Sequence, residues 1–340
     1  MSSNHRSHNR IRTGGSLLLL LVVAALMVSG CGSSQAEKVY RVGILSGLDS
    51  FAGTVDGFKT RMAELGYVEG KNIIYDLQKT NFEPDKEQQI LKKFVADKVD
   101  LIFGFNTEVA VAAKAATEGT NIPVVFANSF IEGSDLVESM RSPGGNITGV
   151  RYPGTEVAAK RLEILHQLAP QAKRIWLPYQ KGYPAVADEL EKVRQAAASL
   201  GVTLIEFAAT DLAHLQAELE QRSKSSDLGF DAVLFIPESL STTKAAFEAI
   251  AQYTKPLKIP VGGSFIATED YGTLFAITID STESGKLAAP MTDKILKGIS
   301  AGTMPVGSPE TILLLNYKVA QQLGLTVPEG LLKQAKQIIR

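Results

Sequence analysis

The sequence predicts an α/β protein with two similar lobes, each built on a parallel β-sheet. Short segments that are apolar throughout alternate with longer segments whose apolar residues recur at helical spacing. Strands that are apolar on both faces and separated by helices are typical of parallel sheets covered by helices on both sides. The pattern then occurs a second time, displaced by 133 residues from Val42 to Ile175 and by 131 residues from Asp100 to Asp231. We therefore expect two Rossmann-like lobes of one topology.

The individual elements follow the same order in both halves. In the first half, strands are predicted at residues 40–45, 73–75, 101–103 and 124–126, and helices at 58–65, 90–95 and 109–116. In the second half, strands are predicted at 174–177, 204–207, 231–235 and 259–261, and a helix at 190–200. Gly66 and Gly201 follow corresponding helices, as glycine commonly does at a helix C-terminus.

The chain is expected to pass between the lobes on hinge crossovers. Residues 142–150 contain the proline and glycines that suit a linking segment. The tail from Phe275 has no counterpart in the repeat, and we expect it to complete the first lobe and then return to the second. The predicted division is a signal peptide at 1–30, a flexible tether at 31–38, a first lobe at 39–148 plus about 275–305, and a second lobe at 149–274 plus about 306–340.

The composition argues against several classes of protein. The chain has 35 Lys and Arg against 36 Asp and Glu, and no basic tract, so nucleic acid is not an expected partner. One cysteine excludes a disulfide framework, and with only four histidines a zinc site is not expected. Neither G-x-G-x-x-G nor G-x-x-x-x-G-K-[ST] occurs, which disfavours a dinucleotide and a nucleoside triphosphate. We predict no catalysis, no metal and no cofactor.

The first 31 residues are typical of an export signal. Three arginines precede an apolar run at 17–28, which is too short to span a bilayer comfortably because a spanning helix needs about 20 residues. Residues 28–31 read Val-Ser-Gly-Cys and resemble the bacterial lipobox, in which cleavage precedes the cysteine and a lipid is attached to its sulfur. Cys31 is the only cysteine in the chain. An ordinary cleaved signal and a retained membrane anchor are the alternatives to lipidation of Cys31.

Polar residues after the predicted strands are the candidate ligand contacts, because open parallel sheets bind ligands beyond the carboxyl ends of their strands. Two such lobes side by side would face these ends toward a shared cleft that closes by hinge motion. The candidates are Ser46, Asp49, Thr107, Asn128 and Ser129 in the first lobe, and Tyr179, Gln180, Tyr183, Glu238 and Ser264 in the second.

The candidates also have structural alternatives. Asp49 and Thr107 are good helix N-caps, and Asn128 suits a turn. An aromatic ring at Tyr179 could stack on a planar or cationic ligand, or pack within its lobe. Glu238 could neutralise a ligand amine, or be a solvated acid in the first turn of a helix.

Two motifs resemble a known family. Residues 66–72 read Gly-Tyr-Val-Glu-Gly-Lys-Asn and residues 143–149 read Pro-Gly-Gly-Asn-Ile-Thr-Gly. With 100–102, 122–126 and the closing segment 316–332, they resemble the ABC transporter substrate-binding family, which includes tryptophan and tyrosine importer components. The resemblance covers roughly residues 40–338. It implies the type I periplasmic-binding fold, without catalysis or a cofactor.

The pocket departs from this family more than the scaffold does. Members that bind amino acids often carry Tyr-Asn-Pro and then Asn-Ser at a helix start, which would hold the ligand carboxylate. Residues 179–184 here read Tyr-Gln-Lys-Gly-Tyr-Pro and keep only Tyr179, and residues 128–133 lack the family's Asp-Pro pair. The family's later acid corresponds to Glu238. Tyr179 is the strongest candidate, because strand position and resemblance agree there.

The expected function is that of an extracytoplasmic solute-binding lipoprotein of an ABC importer. It would hold a small polar molecule, an amino acid being one candidate, between the lobes. The expected partners are the solute, an ABC permease, and the bacterial cell membrane through the lipid on Cys31, with the protein itself a monomer. The alternative is a ligand-sensing lipoprotein that presents its bound form to a membrane receptor or sensor kinase. Transport and sensing share a pocket, so the sequence leaves both open.

Overall fold

A computed structural model describes residues 38–47, 52–80, 83–268 and 272–340. The predicted signal peptide, Cys31 and Asp49 lie outside the described residues. Among the helices that are described, none is long and apolar enough to cross a membrane.

The described strands and helices alternate along most of the chain. The strands are β1 (Tyr40–Ser46), β2 (Ile73–Lys79), β3 (Leu101–Phe105), β4 (Val124–Ser129), β5 (Ile147–Arg151), β6 (Arg174–Gln180), β7 (Thr203–Ala209), β8 (Ala232–Leu234), β9 (Val261–Gly262), β10 (Phe275–Ile279), β11 (Thr311–Asn316) and β12 (Gln337–Ile339). The helices are α1 (Ala52–Glu64), α2 (Pro84–Ala96), α3 (Thr107–Ala116), α4 (Ala158–Leu168), α5 (Val186–Leu200), α6 (Leu212–Arg222), α7 (Lys244–Thr254), α8 (Ser281–Leu296), α9 (Tyr317–Leu323) and α10 (Glu329–Gln334). Short 3-10 turns occur at Thr155–Val157 and Ala301–Thr303.

The first lobe is built on a five-stranded sheet in the order β2-β1-β3-β4-β5, with every neighbouring pair parallel. Ile44 and Leu45 in β1 are fully buried and belong to two different apolar clusters. Consecutive strand residues point to opposite faces, so both faces of this sheet are covered. Burial on both faces explains why the strand reads as continuously apolar.

The second lobe repeats this arrangement in the order β7-β6-β8-β9, again with parallel pairs. Gly263 N donates to Phe275 O at 3.2 Å and Ile277 N donates to Gly263 O at 2.8 Å, so β10 extends the sheet. β11 then pairs antiparallel with β10, and β12 pairs parallel with β11. Trp176 stacks on Phe230 within the core, with ring centroids 4.9 Å apart. The prediction of two α/β lobes with parallel sheets of one topology is confirmed.

The chain passes between the lobes at three places, each a few residues from the predicted boundary. β5 stays paired with β4 as far as Arg151, beyond residue 148. β10 belongs to the second sheet, so the return crossing follows Ile279 and does not precede Phe275. Gly307 N donates to Gly149 O at 2.8 Å, which keeps the chain on the first lobe past residue 305. Backbone pairing continues to the end of each strand, and the chain leaves the lobe only where that pairing ends.

Helix α8 returns to the first lobe and packs very closely on α1. A Cβ atom at Gly57 would lie 2.0 Å from the carbonyl oxygen of Thr282, and one at Gly285 would lie 2.0 Å from that of Thr54. Only glycine allows the two backbones to approach in this way. The contact fixes the start of α8, with Ser281, at the edge where the two lobes meet.

Candidate functional site

A cavity of about 190 Å³ lies between the two lobes at the carboxyl ends of their strands. The first lobe contributes the ends of β3 and β4 and the start of α8. The second lobe contributes the segments after β6, β8 and β9 and the end of β10. The cavity therefore occupies the position that open parallel sheets provide for ligands.

Two asparagines at these strand ends have uncommon backbone conformations. Asn106 follows β3 with φ 66° and ψ 171°, and Asn128, the penultimate residue of β4, has φ 53°. The region that Asn106 occupies is almost restricted to glycine, and holding another residue there costs about 1–3 kcal/mol. Such residues cluster at ligand-binding sites, where the surrounding structure holds them in place. The backbone thus distinguishes the ends of β3 and β4 from ordinary loops.

Each asparagine amide makes one hydrogen bond within the first lobe. Asn106 Nδ2 donates to Glu108 Oε2 at 2.8 Å, and Asn128 Nδ2 donates to Thr54 Oγ1 at 2.8 Å. Because an ionised carboxylate only accepts, Glu108 determines which end of the Asn106 amide faces it. Asn106 Oδ1, Asn128 Oδ1 and Ser264 Oγ are buried without a hydrogen-bond partner among the described residues. Such atoms are uncommon in folded proteins, so the cavity presents two acceptors and one hydroxyl to a ligand.

Glu238 follows β8, and the backbone holds its carboxylate. The N–H groups of Leu240 and Ser241 donate to its two oxygens at 2.6 and 2.7 Å. Burial outweighs these bonds and raises the pKa of Glu238 to about 7. Glu238 therefore organises the loop after β8 and places an acidic group in the cavity wall.

Aromatic rings form much of the apolar part of the wall, from Phe130, Tyr152, Tyr183 and Phe265. The Phe130 ring centroid lies 5.2 Å from that of Tyr152 and 6.1 Å from that of Tyr183. The Tyr152 hydroxyl accepts from Arg161 Nη2 at 3.2 Å, which anchors the ring from behind. Rings in such a wall bind planar apolar groups, and their faces attract cations.

Side chains of the two lobes meet beside the cavity. Tyr183 Oη donates to Thr107 Oγ1 at 3.1 Å, and Ser239 Oγ donates to Glu108 Oε1. Burial raises the pKa of Glu108, against the effect of hydrogen bonds from Ser239 and Asn106. We call these two hydrogen bonds the inter-lobe contacts. They join the start of α3 to the second lobe across the cleft.

Comparisons with known proteins identify the family. The sequence model of the family described as ABC transporter substrate binding protein matches residues 41–339. This chain belongs to that family. Its sequence is 26% identical over 326 residues to a tyrosine-binding protein of Clostridioides difficile (strain R20291), over 91% of this chain and 92% of the relative.

Solved structures show the same two-lobed fold as this substrate-binding protein. An ABC domain from Streptococcus pneumonia in complex with L-Trp has a TM-score of 0.78 and 26% identity, over 89% of this chain and 100% of that one. A ligand-free, open substrate-binding protein with adhesive properties from Clostridium difficile has a TM-score of 0.65 and 24% identity, over 88% and 99%. Substrate-binding proteins bind solutes without converting them, so the prediction that this protein is not an enzyme is confirmed. Within the described residues, no group of three or more His, Cys, Asp or Glu side chains could hold a metal ion.

Part of the predicted site of this substrate-binding protein lines the cavity. The four predicted residues in the lining are Asn128, Tyr183, Glu238 and Ser264. Thr107 lies beside them and takes part in the inter-lobe contacts; its hydroxyl also accepts from the backbone N–H of Phe130 at 3.0 Å. Asp49 lies outside the described residues.

Two predicted residues of the first lobe lie away from the lining. The carbonyl oxygen of Ser46 accepts from Thr80 N at 3.0 Å, at the end of the β1–β2 pairing. Ser129 Oγ donates to the carbonyl oxygen of Ala127 at 3.0 Å and is fully buried. Both side chains sit at strand ends, as the sequence predicts, but neither is among the lining residues.

Tyr179 and Gln180 at the end of β6 are half-buried and are not among the lining residues either. Tyr179 packs against the apolar core of the second lobe. Packing within the lobe is the alternative that the sequence offers to stacking on a ligand. Burial raises its pKa, with a further contribution from Glu206. The ring that enters the cavity from this segment belongs to Tyr183. The structure thus favours Tyr183, and not Tyr179, as the aromatic contact after β6.

The strand-end rule does not identify every lining residue. Tyr152 follows β5 and Ser281 follows β10, and these fifth strands of each lobe fall in segments that the sequence assigns to linkers or to the tail. Phe130 follows β4 but is apolar, so a search for polar residues passes over it. Asn106 directly precedes Thr107. The N-cap preference of threonine favours Thr107 as the candidate and leaves Asn106 out. The sequence feature that could have identified Asn106 is an asparagine directly after a buried strand, because asparagine tolerates positive φ better than most residues.

We predict that Asn106→Gly is more stable than Asn106→Ala by about 1–3 kcal/mol, because both variants lose the side chain and only glycine relieves the backbone. Urea unfolding of the two variants measures the difference. Ala198, exposed in α5, is the matched control. Here alanine should be more stable than glycine, because Ala198→Gly should lower the free energy of unfolding by about 1 kcal/mol. Equal stability of the two Asn106 variants would contradict the strained conformation.

We predict that Tyr183→Phe shifts the protein toward open conformations by about twofold to tenfold, because it removes one hydrogen bond to Thr107. Fluorescence energy transfer between dyes on Glu118 and Lys224, exposed in different lobes, measures the population of closed molecules. Tyr179→Phe is the matched control and should leave this population unchanged. A change of the same size in both variants would show that the Tyr183 hydroxyl has no special part in closure.

Proposed function

We propose that this protein is an extracytoplasmic solute-binding lipoprotein of an ABC importer, and that it captures a small solute carrying an amino group and an aromatic part. Membership of the substrate-binding family supports capture and delivery to a permease. The cavity between the lobes supports a ligand that is enclosed when they close.

The three buried polar atoms without partners carry the proposal. Asn106 Oδ1 and Asn128 Oδ1 can only accept hydrogen bonds, and Ser264 Oγ can accept or donate. A ligand that enters must supply hydrogen-bond donors, because leaving a buried acceptor unpaired costs about 1–3 kcal/mol. An ammonium group has three donors and no acceptor, so it matches this set.

The aromatic wall supports a planar part in the same ligand. Phe130, Tyr152, Tyr183 and Phe265 surround the polar atoms with ring surface. The relative in Clostridioides difficile is named for tyrosine, and the Streptococcus structure holds L-Trp. Both names are consistent with an aromatic solute here.

The lipid anchor is proposed from the sequence at residues 28–31. Export and attachment at Cys31 would place the two-lobed body outside the cytoplasm, next to the permease that receives the solute. The basic start, the short apolar run and the single cysteine support this arrangement.

We predict that an aromatic compound with an amino group raises the stability of the full chain by about 2.7 kcal/mol at 100 times its dissociation constant. Thermal-shift screening should include L-tryptophan, L-tyrosine, tryptamine and tyramine, with ribose and inorganic phosphate as comparison ligands. Asn128→Gly should weaken the best ligand by about tenfold or more in calorimetry, because it removes an acceptor of the ammonium. Ser129→Ala is the neighbouring control and should bind normally. Stabilisation by ribose or phosphate alone would contradict the proposal.

We predict that Cys31→Ala releases the protein from membranes and abolishes labelling by a palmitate analogue, since no other cysteine is present. Fractionation of cells that express each form measures the release. Ser33→Ala, two residues further on, is the control and should remain attached. Unchanged labelling of the Cys31→Ala protein would disprove lipidation at this residue.

A further inference from the structure

The described lining of the cavity contains an acidic side chain and no basic one. Neither lysine nor arginine occurs among the described lining residues, whereas Glu238 is one of them. The internal stretches outside the description, 48–51, 81–82 and 269–271, contain no lysine or arginine in the sequence either. A ligand carboxylate would therefore find no cation in the described wall of the cavity.

Two buried arginines near the crossing segments are committed to carboxylates of the protein. Arg161 Nη1 lies 3.1 Å from Glu189 Oε2, in a fully buried pair behind Tyr152. Arg151 Nη1 lies 3.0 Å from Glu132 Oε1. Neither guanidinium is among the groups that line the cavity.

Carboxylates of the protein occupy backbone N–H groups at two places beside the cavity. Convergent N–H groups at helix starts are the other common site for a ligand carboxylate. At the start of α8, Asp280 Oδ1 accepts from Thr282 N at 2.8 Å and from Glu283 N at 3.3 Å. After β8, Glu238 occupies the N–H groups of its loop in the same way.

The polar groups of the cavity that have no hydrogen-bond partner favour a positively charged ligand group. Asn106 Oδ1 and Asn128 Oδ1 are acceptors, and each belongs to a side chain that is at least nine-tenths buried. A carboxylate brought beside these two oxygens would lose its hydration without gaining a counter-ion from the described lining. An ammonium would gain both acceptors, the ring faces of the wall and the Glu238 carboxylate.

We infer that the cavity selects an organic amine without a carboxylate, such as an arylalkylamine, over the amino acid of the same side chain. The inference rests on the proposed function, because it names the class of solute for the same cavity. It differs from the aromatic amino acids for which the relatives are named. The difference lies in Glu238 and in the lack of lysine and arginine among the described lining residues.

Calorimetry with three compounds of one side chain tests the inference on the full chain in detergent. Tyramine has the amine alone, L-tyrosine has the amine and the carboxylate, and 3-(4-hydroxyphenyl)propionate has the carboxylate alone. We expect tyramine to bind about tenfold or more tighter than L-tyrosine, and the propionate to show no binding. Tryptamine and L-tryptophan provide a second pair, in which the same order is expected.

A variant separates charge selection from general loosening of the site. Glu238→Gln should bring the ratio of tyramine to L-tyrosine affinity toward one, because the acidic group in the wall is lost. Using a ratio within one variant cancels any loss that affects both ligands equally. Glu206→Gln, whose carboxylate pairs with Arg194 outside the cavity lining, is the control and should keep the wild-type ratio.

The outcomes are distinguishable from those of the proposed function. If L-tyrosine and L-tryptophan bind as tightly as their amines or more tightly, the inference is overturned while capture of an aromatic amine-bearing solute stands. If none of the five compounds binds, the proposed function is overturned and the inference with it.

Discussion

The pairing of buried polar groups is the constraint on which the site depends. Two parallel sheets that meet at their carboxyl ends bring strand ends, helix starts and their N–H groups into one cleft. Closing the cleft removes water from these groups, and buried polar atoms need partners. The protein satisfies some of these N–H groups with its own carboxylates, at Glu238 and Asp280. It leaves the amide oxygens of Asn106 and Asn128 for the ligand. The kind of solute that fits the cavity therefore depends on whether the protein leaves hydrogen-bond donors or hydrogen-bond acceptors unpaired there.

The same constraint connects binding to closure. Each inter-lobe hydrogen bond contributes about 0.5–1.5 kcal/mol, whereas each buried polar atom left unpaired costs about 1–3 kcal/mol. Two inter-lobe contacts cannot outweigh three unpaired atoms, so closure becomes favourable when a ligand supplies the missing donors. The cavity takes Asn106 and Asn128 from one lobe and Ser264 from the other, so a matching ligand bridges both.

The sequence predicts the scaffold well and the site only in part, for physical reasons. Continuous apolar strands are a consequence of burial on both faces, and burial is encoded in residue type. The nearly constant repeat offset reflects two halves with the same element order. Strand ends can also be located in the sequence, and four residues predicted on that basis lie in the cavity lining: Asn128, Tyr183, Glu238 and Ser264. Side-chain direction after a strand depends on the turn that follows, and this separates Tyr179, which packs in its lobe, from Tyr183. The fifth strands are short and lie in the crossing segments, so the positions of Tyr152 and Ser281 depend on pairing that local sequence does not specify.

Glu108 connects recognition with closure through a single carboxylate. One of its oxygens accepts from Ser239 across the cleft, and the other accepts from Asn106 Nδ2. The second bond holds the Asn106 amide with its oxygen free for the ligand, because a carboxylate cannot donate. A protonated Glu108 could donate instead, which would permit the amide to turn and to offer its nitrogen. Burial raises the pKa of Glu108, and the hydrogen bonds from Ser239 and Asn106 favour the charged form. Closing the lobes supplies the bond from Ser239, so closure itself favours the ionised form of Glu108, which keeps the Asn106 amide oxygen free.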